Sequence, residues 1–486
     1  MPLTYAALLD ELRRADLLCA APPVAPDPTG IAADSRTTLP GMFYLALRGS
    51  QADGHRFVSE AVRRGAGAVL VETPQGSGVA EIVIRDGQRA ALVLGRAWYG
   101  HPARSLTLIG VTGTNGKTTT TGLIRHLFNE DEAAGSIGTL GAFDGRGQAI
   151  PSTAGSLTTP GPIDLQATLS QMLERGVTHV TMEASSHSLD QRRLDGLTFA
   201  AGVFTNLTRD HLDYHGTMES YLGSKLRLSS MLGTTGIEIV NLDDRAWRVM
   251  PLRSPRLTFG LDPSADVTAS QVVLDAAGSR FLLGGRFGSA EVTLPLLGDF
   301  NVANALAAAA TGLSLGRPIG AVAQRLAVAP QVPGRMERIS DVPCIVLRDY
   351  AHTPDALERA LASLRPLTAG RLIVVFGCGG DRDRGKRPIM GRIAAEHSHL
   401  VIVTSDNPRT ENPESIIDDI VPGMGAVSYL RIPDRLKAIH TALAEGRPGD
   451  TILLAGKGHE TYQIIGTDKI DFDEREIVQR AVRGER

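Results

Sequence analysis

Short apolar runs rich in β-branched residues alternate along most of the chain with segments of helical periodicity. Between residues 103 and 335 the apolar runs include THVTMEA, FAAGVFTNL and GIEIVNLDD, and the helical pattern covers 163–175 and 217–231. This alternation predicts βαβ units around a largely parallel sheet. A more β-rich stretch at 255–297 precedes an Ala-rich helix that is expected to start near Asn301.

The pattern changes near residues 102 and 335, which predicts three α/β domains at 1–102, 103–335 and 336–486. The first domain begins with an amphipathic helix. The third has apolar runs at 344–349, 371–377, 400–405, 427–432 and 450–455, and four of them lead into DYAHTP, GCGGDRDRGKR, DNPR and GKGHE. Because ligands of open parallel sheets bind at the carboxyl ends of the strands, these loops predict part of a binding site.

Composition restricts the class of partner. The 486 residues are 42% hydrophobic and 21% charged, with a net charge of −3 and interspersed signs. This balance predicts neither nucleic-acid binding nor membrane insertion. The apolar stretch NVANALAAAATGLSLG is too short to span a bilayer. Cys19, Cys344 and Cys378 are too scattered for a disulfide framework, so we expect a reduced, cytoplasmic setting.

The segment GVTGTNGKTTT follows an apolar run and opens a helical pattern. It supplies Gly113 and Gly116 for a phosphate-binding loop whose backbone N–H groups face the phosphates. Lys117 would reach the phosphate oxygens, and the Thr118 hydroxyl is a ligand for Mg²⁺. Val111 stands where the longer form of this motif has its first Gly, so the segment has the shorter G-T-N-G-K-T form.

Two further segments carry groups suited to a metal. MEASSHSLDQRRL places Glu183 at the tip of an apolar run beside the phosphate loop, where a carboxylate either binds a cation or is simply solvated. TRDHLDYHG adds His211 and His215, which are either metal ligands or part of an ordinary polar loop.

Two other features are less specific. Asn301 and Asn304 lie one turn apart at the expected start of the Ala-rich helix, and an N-cap role accounts for one of them better than for both. Lys225, in YLGSKLRL, has the context of an ordinary lysine on a helix surface.

Taken together, these segments resemble the Mur ligase family, ATP-dependent enzymes that form amide bonds in peptidoglycan synthesis. The resemblance covers essentially the whole chain. It rests on GTNGKTTT, MEASSHSLDQRR, TRDHLDYHG, GDFNVANALAA, GRMERI, DYAHTP, GCGGDRDRGKRP, DNPR and GKGHE, all in the family's order. It implies an α/β fold with a central P-loop ATPase domain, a C-terminal Rossmann-like domain for the amino acid and a smaller N-terminal domain for the UDP end of the substrate. We expect a monomer.

The resemblance also implies a reaction. ATP converts a carboxylate into an acyl phosphate, which an amine then attacks while phosphate leaves. The residues implied for ATP are Gly113, Thr114, Asn115, Gly116, Lys117, Thr118, Thr119, Asn301, Asn304, Arg335, Asp349 and His352. Those implied for Mg²⁺ are Thr118, Glu183, His211 and Lys225, the last as a carbamate (N6-carboxylysine). The implied catalytic residues are Lys117, Glu183, His211 and Lys225.

DSR at 34–36 and SQADG at 50–54 match family members that add the third residue of the stem peptide. The resemblance implies that UDP-muramoyl-dipeptide binds Ser35, Ser50, Gln51, Ala52, Thr158, Thr159, Ser185, Gln191 and Arg193.

The amino acid implied is meso-2,6-diaminopimelate, with Arg387, Asp406, Asn407, Pro408, Arg409, Gly456 and Glu460 as its site. Arg409 offers a planar fork for the distal carboxylate, which lysine lacks. Arg387 would bind the carboxylate nearer the reacting amine, and Glu460 with the Gly456 carbonyl would bind the distal ammonium.

Other functions remain open at this stage. A lysine-adding Mur ligase would share most of these motifs. Folylpolyglutamate synthetases share the ligase chemistry but lack the UDP-binding domain that DSR and SQADG indicate. A nucleotide-gated switch would hydrolyse ATP without an amino-acid substrate, and a sugar-nucleotide-binding protein without catalysis would need neither Lys117 nor Glu183.

Overall fold

The computed structural model describes residues 3–49, 52–151, 157–425 and 427–485. The predicted alternation of strands and helices is confirmed, and the fold is α/β. The chain divides into two compact units, residues 1–258 with 310–315 and residues 259–309 with 316–486. The finer boundaries at 102 and 335 stay predictions. Among the helices of the described ranges, none has the length and apolar character needed to cross a membrane.

The first unit opens with a five-stranded sheet. Its elements are α1 (Tyr5–Arg14), β1 (Leu18–Ala20), β2 (Ile31–Ala32), β3 (Phe43–Leu45), α2 (Val58–Arg63), β4 (Ala68–Val71), β5 (Ala80–Ile84) and α3 (Gly87–Trp98). The strand order is β1-β5-β4-β3-β2, with β1 antiparallel to β5 and the other pairs parallel. The predicted amphipathic helix α1 starts after Thr4, whose hydroxyl accepts the Ala7 N–H, and it buries Leu8 and Leu12.

A second sheet in this unit carries the phosphate loop. Its elements are β6 (Thr107–Thr112), α4 (Lys117–Phe128), β7 (Ala134–Gly138), β8 (Gly141–Phe143), α5 (Pro162–Glu174), β9 (His179–Glu183), α6 (Ser186–Asp190), β10 (Phe199–Phe204), α7 (Leu212–His215), α8 (Met218–Leu226) and β11 (Leu232–Asn241). The order is β11-β10-β6-β9-β7-β8, with β8 antiparallel to β7 and the other pairs parallel. The carboxyl ends of β6, β9 and β10 therefore meet at one edge.

The predicted β-rich stretch consists of β12 (Arg256–Gly260), β13 (Val267–Asp275), β14 (Gly278–Gly285) and β15 (Ala290–Leu294), followed by α9 (Asp299–Ser314) and α10 (Ile319–Ala327). Because α9 begins at Asp299, Asn301 and Asn304 lie inside the helix and the N-cap interpretation is wrong. Asn301 Nδ2 donates to Leu297 O at 2.8 Å, and Asn304 Nδ2 donates to Asn301 Oδ1 at 2.9 Å.

The C-terminal sheet confirms the predicted strands. Its elements are β16 (Glu337–Ser340), β17 (Ile345–Asp349), α11 (Pro354–Leu364), β18 (Leu372–Phe376), α12 (Lys386–His397), β19 (Leu400–Val403), α13 (Pro413–Ile420), β20 (Tyr429–Arg431), α14 (Arg435–Glu445), β21 (Thr451–Ala455), the hairpin β22 (Tyr462–Ile465) and β23 (Asp468–Asp471), and α15 (Glu474–Val482). The order is β16-β17-β21-β18-β19-β20, parallel from β17 to β20. DYAHTP, GCGGDRDRGKR, DNPR and GKGHE therefore leave the same edge of this sheet.

Candidate active site

The phosphate loop lies between the end of β6 and the start of α4. Gly113 (φ 151°) and Gly116 (φ 82°) adopt backbone conformations that favour glycine, and a Cβ on Gly113 would lie 1.9 Å from Thr205 Oγ1. The Lys117 ammonium donates to the carbonyls of Gly113 and Thr114 at 3.0 and 2.8 Å. A lysine is thus held against a glycine-dependent loop at the N-terminus of a 12-residue helix, an arrangement suited to phosphate.

Lys225, on α8, is fully buried, so its interpretation as a surface lysine is wrong. Its Nζ donates to Gly113 O at 2.6 Å and lies 4.4 Å from the centre of the Tyr221 ring. Lys117 donates to the same carbonyl oxygen. Burial, and then the neighbouring charge of Lys117, lowers the pKa of Lys225 well below its usual range. The environment therefore favours a neutral amine.

Glu183 ends β9 beside β6, and its side chain is buried. Its Oε1 accepts the Thr139 N–H at 2.9 Å, and its Oε2 accepts the Thr139 hydroxyl at 3.1 Å. A Cβ on Gly138 would lie 2.3 Å from Glu183 Oε1, so the chain passes close to the carboxylate here. Thr139, which no sequence motif singled out, therefore orients this carboxylate.

The predicted Mg²⁺ ligands do not form a closed site on their own. Within the described ranges, no three His, Cys, Asp or Glu side chains converge as metal ligands. His211 packs against His187, with ring centres 4.8 Å apart. Mg²⁺ is usually bound by one or two protein oxygens together with substrate phosphates and water. The Glu183 carboxylate and the Thr118 hydroxyl at the phosphate loop fit such an open site.

The environments of His211 and His187 both favour the neutral imidazole. Burial lowers the pKa of His187 to about 4, and burial also lowers the pKa of His211. A neutral imidazole is the form that ligates a metal ion, so the state of His211 is compatible with its predicted role.

Four of the five residues predicted in this unit to bind the dipeptide, Thr159, Ser185, Gln191 and Arg193, form one hydrogen-bonded cluster, and Thr158 lies beside it. Arg193 Nη1 donates to Thr159 O at 2.9 Å, and its Nε donates to Gln191 Oε1 at 3.0 Å. The Ser185 N–H donates to Thr159 Oγ1 at 3.4 Å. The Thr158 hydroxyl lies 3.3 Å from the Thr139 hydroxyl, which donates to the Glu183 carboxylate. The cluster therefore lies beside the carboxyl end of β9, next to the phosphate loop.

Of the predicted UDP-binding positions in the first 102 residues, Ser35 and Ala52 are described, and neither lies in a strand. Ser35 is buried and its Oγ donates to Glu60 Oε2 at 2.9 Å, while Ala52 is exposed. Ser50 and Gln51 lie outside the described residues. Their roles in UDP binding stay predictions.

The loop that carries Arg335 is fixed by two carboxylates. Asp349 Oδ2 accepts the Met336 N–H at 2.6 Å. Glu337 Oε2 accepts the Gly334 N–H at 2.7 Å. The Arg335 guanidinium lies 4.8 Å from the centre of the Tyr350 ring, a cation–π contact. His352 Nδ1 lies 2.7 Å from Tyr350 O. Arg335, Asp349 and His352 are thus neighbours, joined by Tyr350, which the sequence did not single out.

The DNPR loop after β19 is fixed by the β22–β23 hairpin. Arg409 has φ 51°, and its N–H donates to Ile464 O at 3.0 Å while its carbonyl accepts the Gly466 N–H at 2.7 Å. Asn407 Oδ1 accepts the Ile464 N–H at 2.9 Å. A left-handed conformation costs an L-residue about 1–2 kcal/mol, which these contacts offset. Arg409 Nη1 donates to Gly380 O at 2.8 Å, and no described residue accepts from its Nε or Nη2.

Arg387, which was predicted to bind a substrate carboxylate, is paired with two carboxylates of the chain itself. It is fully buried, its Nη1 and Nη2 donate to the two oxygens of Glu411 at 3.0 and 2.9 Å, and its Nη1 also donates to Asp419 Oδ2 at 2.8 Å. The hydrogen bonds from Arg387 lower the pKa of Glu411 to about 2. The planar fork of Arg387 is thus occupied by Glu411 in this structure, and its role as a substrate ligand stays a prediction.

Arg382, in the same loop as Arg387, is exposed and lies beside Arg409. A Cβ on Gly379 would lie 3.0 Å from Arg409 Nη1 and 3.7 Å from Arg382 Cγ. The sequence analysis did not single out Arg382, because GCGGDRDRGKR contains three arginines and no local signal separates them. Arg384 and Arg387 pair with Glu411, whereas Arg382 donates to Asp381 O at 3.1 Å.

The GKGHE loop after β21 brings acidic groups to the same edge. Glu460 Oε2 accepts from Asn407 Nδ2 at 2.9 Å and lies 3.3 Å from Lys457 Nζ. Asp406 is buried, and a Cβ on Gly456 would lie 3.2 Å from its Oδ2. The edge therefore carries both basic groups, Arg382 and Arg409, and acidic groups, Asp406 and Glu460.

Known proteins resemble this chain over almost its full length. Three family models match it: the Mur ligase family, catalytic domain at residues 28–95, the Mur ligase middle domain at 111–312, and the Mur ligase, glutamate ligase domain at 334–458. A protein of Gloeobacter violaceus, named UDP-N-acetylmuramoyl-L-alanyl-D-glutamate--2,6-diaminopimelate ligase, is 47% identical over 465 residues, which are 94% of each chain. One of the same name from Geobacillus thermodenitrificans is 42% identical over 95% of this chain and 96% of its own.

A solved structure of a UDP-N-acetylmuramoyl-L-alanyl-D-glutamate--2,6-diaminopimelate ligase is also similar, with a TM-score of 0.65 and 35% identity over 94% of this chain and 95% of its own. The fold, the phosphate loop and the sequence similarity over almost the full length indicate the same family. The chain belongs to the Mur ligase family.

Proposed function

We propose that this protein is an ATP-dependent ligase that joins meso-2,6-diaminopimelate to UDP-N-acetylmuramoyl-L-alanyl-D-glutamate, in the cytoplasmic synthesis of peptidoglycan precursors. The observation that carries the proposal is the edge of the C-terminal sheet, where Arg409 lies near Asp406 and Glu460. The far end of diaminopimelate has a carboxylate and an ammonium, and this edge offers a partner for each. The similarity to ligases named for this amino acid supports the same substrate.

The residues of the first unit suit the activation of a carboxylate by ATP. A carboxylate oxygen of the dipeptide would bond to the γ-phosphorus while the bond to ADP breaks. The amine nitrogen would then bond to the carbonyl carbon and lose a proton, and phosphate would leave with the electrons of the C–O bond. Negative charge grows on phosphoryl oxygens in the first step, where the loop N–H groups and Lys117 would stabilise it. Mg²⁺ would be held by Thr118 and Glu183 and would neutralise part of this charge.

The position of the dipeptide cluster fits this reaction. Arg193 and Thr159 lie beside the carboxyl end of β9, and β9 pairs in parallel with β6, which leads into the phosphate loop. A carboxylate bound by this cluster would therefore lie near the terminal phosphate of ATP, as a transfer between the two requires.

A phosphate-release assay tests the proposed function. The wild-type protein should release phosphate from ATP when both UDP-muramoyl-dipeptide and diaminopimelate are present, and the amide product should form in equal amount. Release of phosphate without the amino acid would instead support a nucleotide-gated switch. Use of lysine in preference to diaminopimelate would make the chain a lysine-adding ligase and contradict the proposal.

Arg409→Ala should raise the KM for diaminopimelate about ten- to a hundredfold, because a charged hydrogen-bonded pair contributes roughly 1.5–3 kcal/mol. The KM for ATP should stay unchanged. Steady-state kinetics with each substrate varied in turn measures the effect. Arg392→Ala, which removes an exposed arginine paired with Glu396 on α12, is the matched control. An Arg409→Ala enzyme that kept the wild-type KM would remove Arg409 from the site.

We also propose that Lys225 carries a carbamate. Its buried, neutral amine would form an N–C bond with CO₂ and release a proton, which gives a carboxylate on a long stem suited to Mg²⁺. Protein equilibrated with ¹³C-bicarbonate should show a carbamate carbon by NMR that is absent from Lys225→Gln, and that variant should lose roughly tenfold or more of its activity. Lys437→Gln, at an exposed position on α14, should keep both signal and activity. The same NMR signal in Lys225→Gln would contradict the assignment.

A further inference from the structure

Lys457, in GKGHE, is a fully buried ammonium at the amino-acid edge of the C-terminal sheet. Its Nζ donates to Asn407 Oδ1 at 3.1 Å and to Glu460 Oε2 at 3.3 Å, and it lies 3.6 Å from Asp406 Oδ1. If a buried lysine served only to stabilise the fold, its hydrogen-bond acceptors could come from any part of the core. This one contacts three side chains that come from the two loops of the proposed diaminopimelate site.

The hydrogen bonds of Lys457 fix the orientation of two of these side chains. An ammonium group can only donate, so it must face the oxygen and not the nitrogen of the Asn407 amide. The Ile464 N–H donates to the same oxygen at 2.9 Å. The Asn407 Nδ2 is thereby directed at Glu460 Oε2, to which it donates at 2.9 Å. One carboxylate oxygen of Glu460 thus accepts from both Lys457 and Asn407.

Among Lys457 and the side chains that it contacts directly, the formal charges do not balance. Asp406 and Glu460 carry two negative charges, and Lys457 supplies one positive charge. Asp406 Oδ1 is buried and has no hydrogen-bond partner within the part of the chain that the structure describes, and 3.6 Å is too long for a hydrogen bond from Lys457. A buried carboxylate oxygen without a donor is unfavourable. One further cationic donor would satisfy both the charge and this oxygen.

We propose that Lys457 is a positioning residue of the amino-acid site, which orients Asn407 and Glu460. Asp406 and Glu460 then remain able to bind one ammonium group of the substrate. The proposal rests on the proposed function and refines it. Lys457 does not touch the reacting atoms. It sets the preference for an amino acid with an ammonium at its far end, while Arg409 binds the carboxylate there.

The test compares diaminopimelate with 2-aminopimelate, which keeps the reacting amine and both carboxylates and lacks the distal amine. Wild-type enzyme should have the higher kcat/KM with diaminopimelate. In Lys457→Met, which keeps the length of the stem without its charge, the ratio of the two kcat/KM values should fall about tenfold, through the KM for diaminopimelate. The KM for ATP should remain within about twofold. A role limited to stability would lower both kcat/KM values together and leave the ratio unchanged.

Lys469→Met is the matched control. Lys469 lies on β23, is exposed, and its Nζ lies 3.6 Å from the centre of the Tyr462 ring, which Lys457 also faces at 5.7 Å. This variant removes a lysine charge from the hairpin that follows the GKGHE loop and should keep the wild-type ratio. Lys457→Gln, which restores an N–H donor without the charge, should recover part of the ratio because Asn407 is again held by its oxygen.

Each outcome is decisive. A ratio in Lys457→Met that is unchanged or higher than in wild type overturns the positioning role, and so does failure of both Lys457 variants to fold. If the wild-type enzyme uses neither amino acid with ATP and UDP-muramoyl-dipeptide, the proposed function fails and the role of Lys457 falls with it. Failure of the proposed function shows as an inactive wild-type enzyme. If only the role of Lys457 is wrong, the wild type is active and the result shows in the variants alone.

Discussion

Lys117→Ala is expected to lower kcat/KM by at least about 100-fold, a loss of roughly 3 kcal/mol in transition-state stabilisation. The Lys117 ammonium contacts the carbonyls of Gly113 and Thr114, so its charge is held at the loop where the transferred phosphate would lie. The neighbouring Lys225 does not duplicate this charge, because burial lowers the pKa of its amine well below the usual range. The measurement is amide formation with saturating amino acid and varied ATP.

The fold should survive this change, because Lys117 packs on the loop surface and its contacts are to backbone carbonyls. Far-UV circular dichroism and the thermal midpoint should match those of the wild type. Lys437→Ala, which removes an exposed lysine of α14, serves as the control for loss of a single charge. Near-normal turnover by a folded Lys117→Ala protein would exclude the phosphate loop from the reaction.

Arg435→Met should lower the free energy of unfolding of the C-terminal sheet by about 3–5 kcal/mol, because it leaves a buried carboxylate without a counter-charge. Arg435 and Glu474 are both fully buried, and Arg435 Nε donates to Glu474 Oε1 at 2.8 Å. The guanidinium also donates to Ser405 O at 3.1 Å and to Ala455 O at 3.0 Å, at the ends of β19 and β21. Urea denaturation, with hydrogen exchange of the β19 and β21 amides, measures the loss.

A double variant separates the lost pairing from the lost packing. Arg435→Met combined with Glu474→Leu removes both charges and should recover most of the stability that the single change costs. Arg392→Met, which breaks an exposed pair with Glu396 on α12, should cost less than about 1 kcal/mol. A loss equally small for Arg435→Met would show that Glu474 is adequately solvated or paired without it.

The sequence alone determined the strand and helix pattern and the edges at which chemistry would occur. The run LIVVF of β18 is buried throughout, as expected for a strand covered on both faces of a parallel sheet, and such continuous apolar runs are readable locally. The loop geometry of GTNGKT was equally predictable, because the glycines, Lys117 and the start of α4 lie within a few residues of one another. DNPR and GKGHE could be placed on one edge because parallel strands end on the same side.

Only the tertiary structure decided which charged side chains are free and which are paired. Lys225 meets Gly113 across 112 positions of sequence, Arg387 meets Glu411 across 24, and Lys457 meets Asn407 across 50. The pKa of an amine and the availability of a guanidinium depend on burial and on such distant partners, which no local pattern contains. A buried lysine such as Lys225 and an exposed one therefore have similar local sequence, and so do paired and unpaired arginines. They differ only after folding has brought a distant carbonyl or carboxylate into contact.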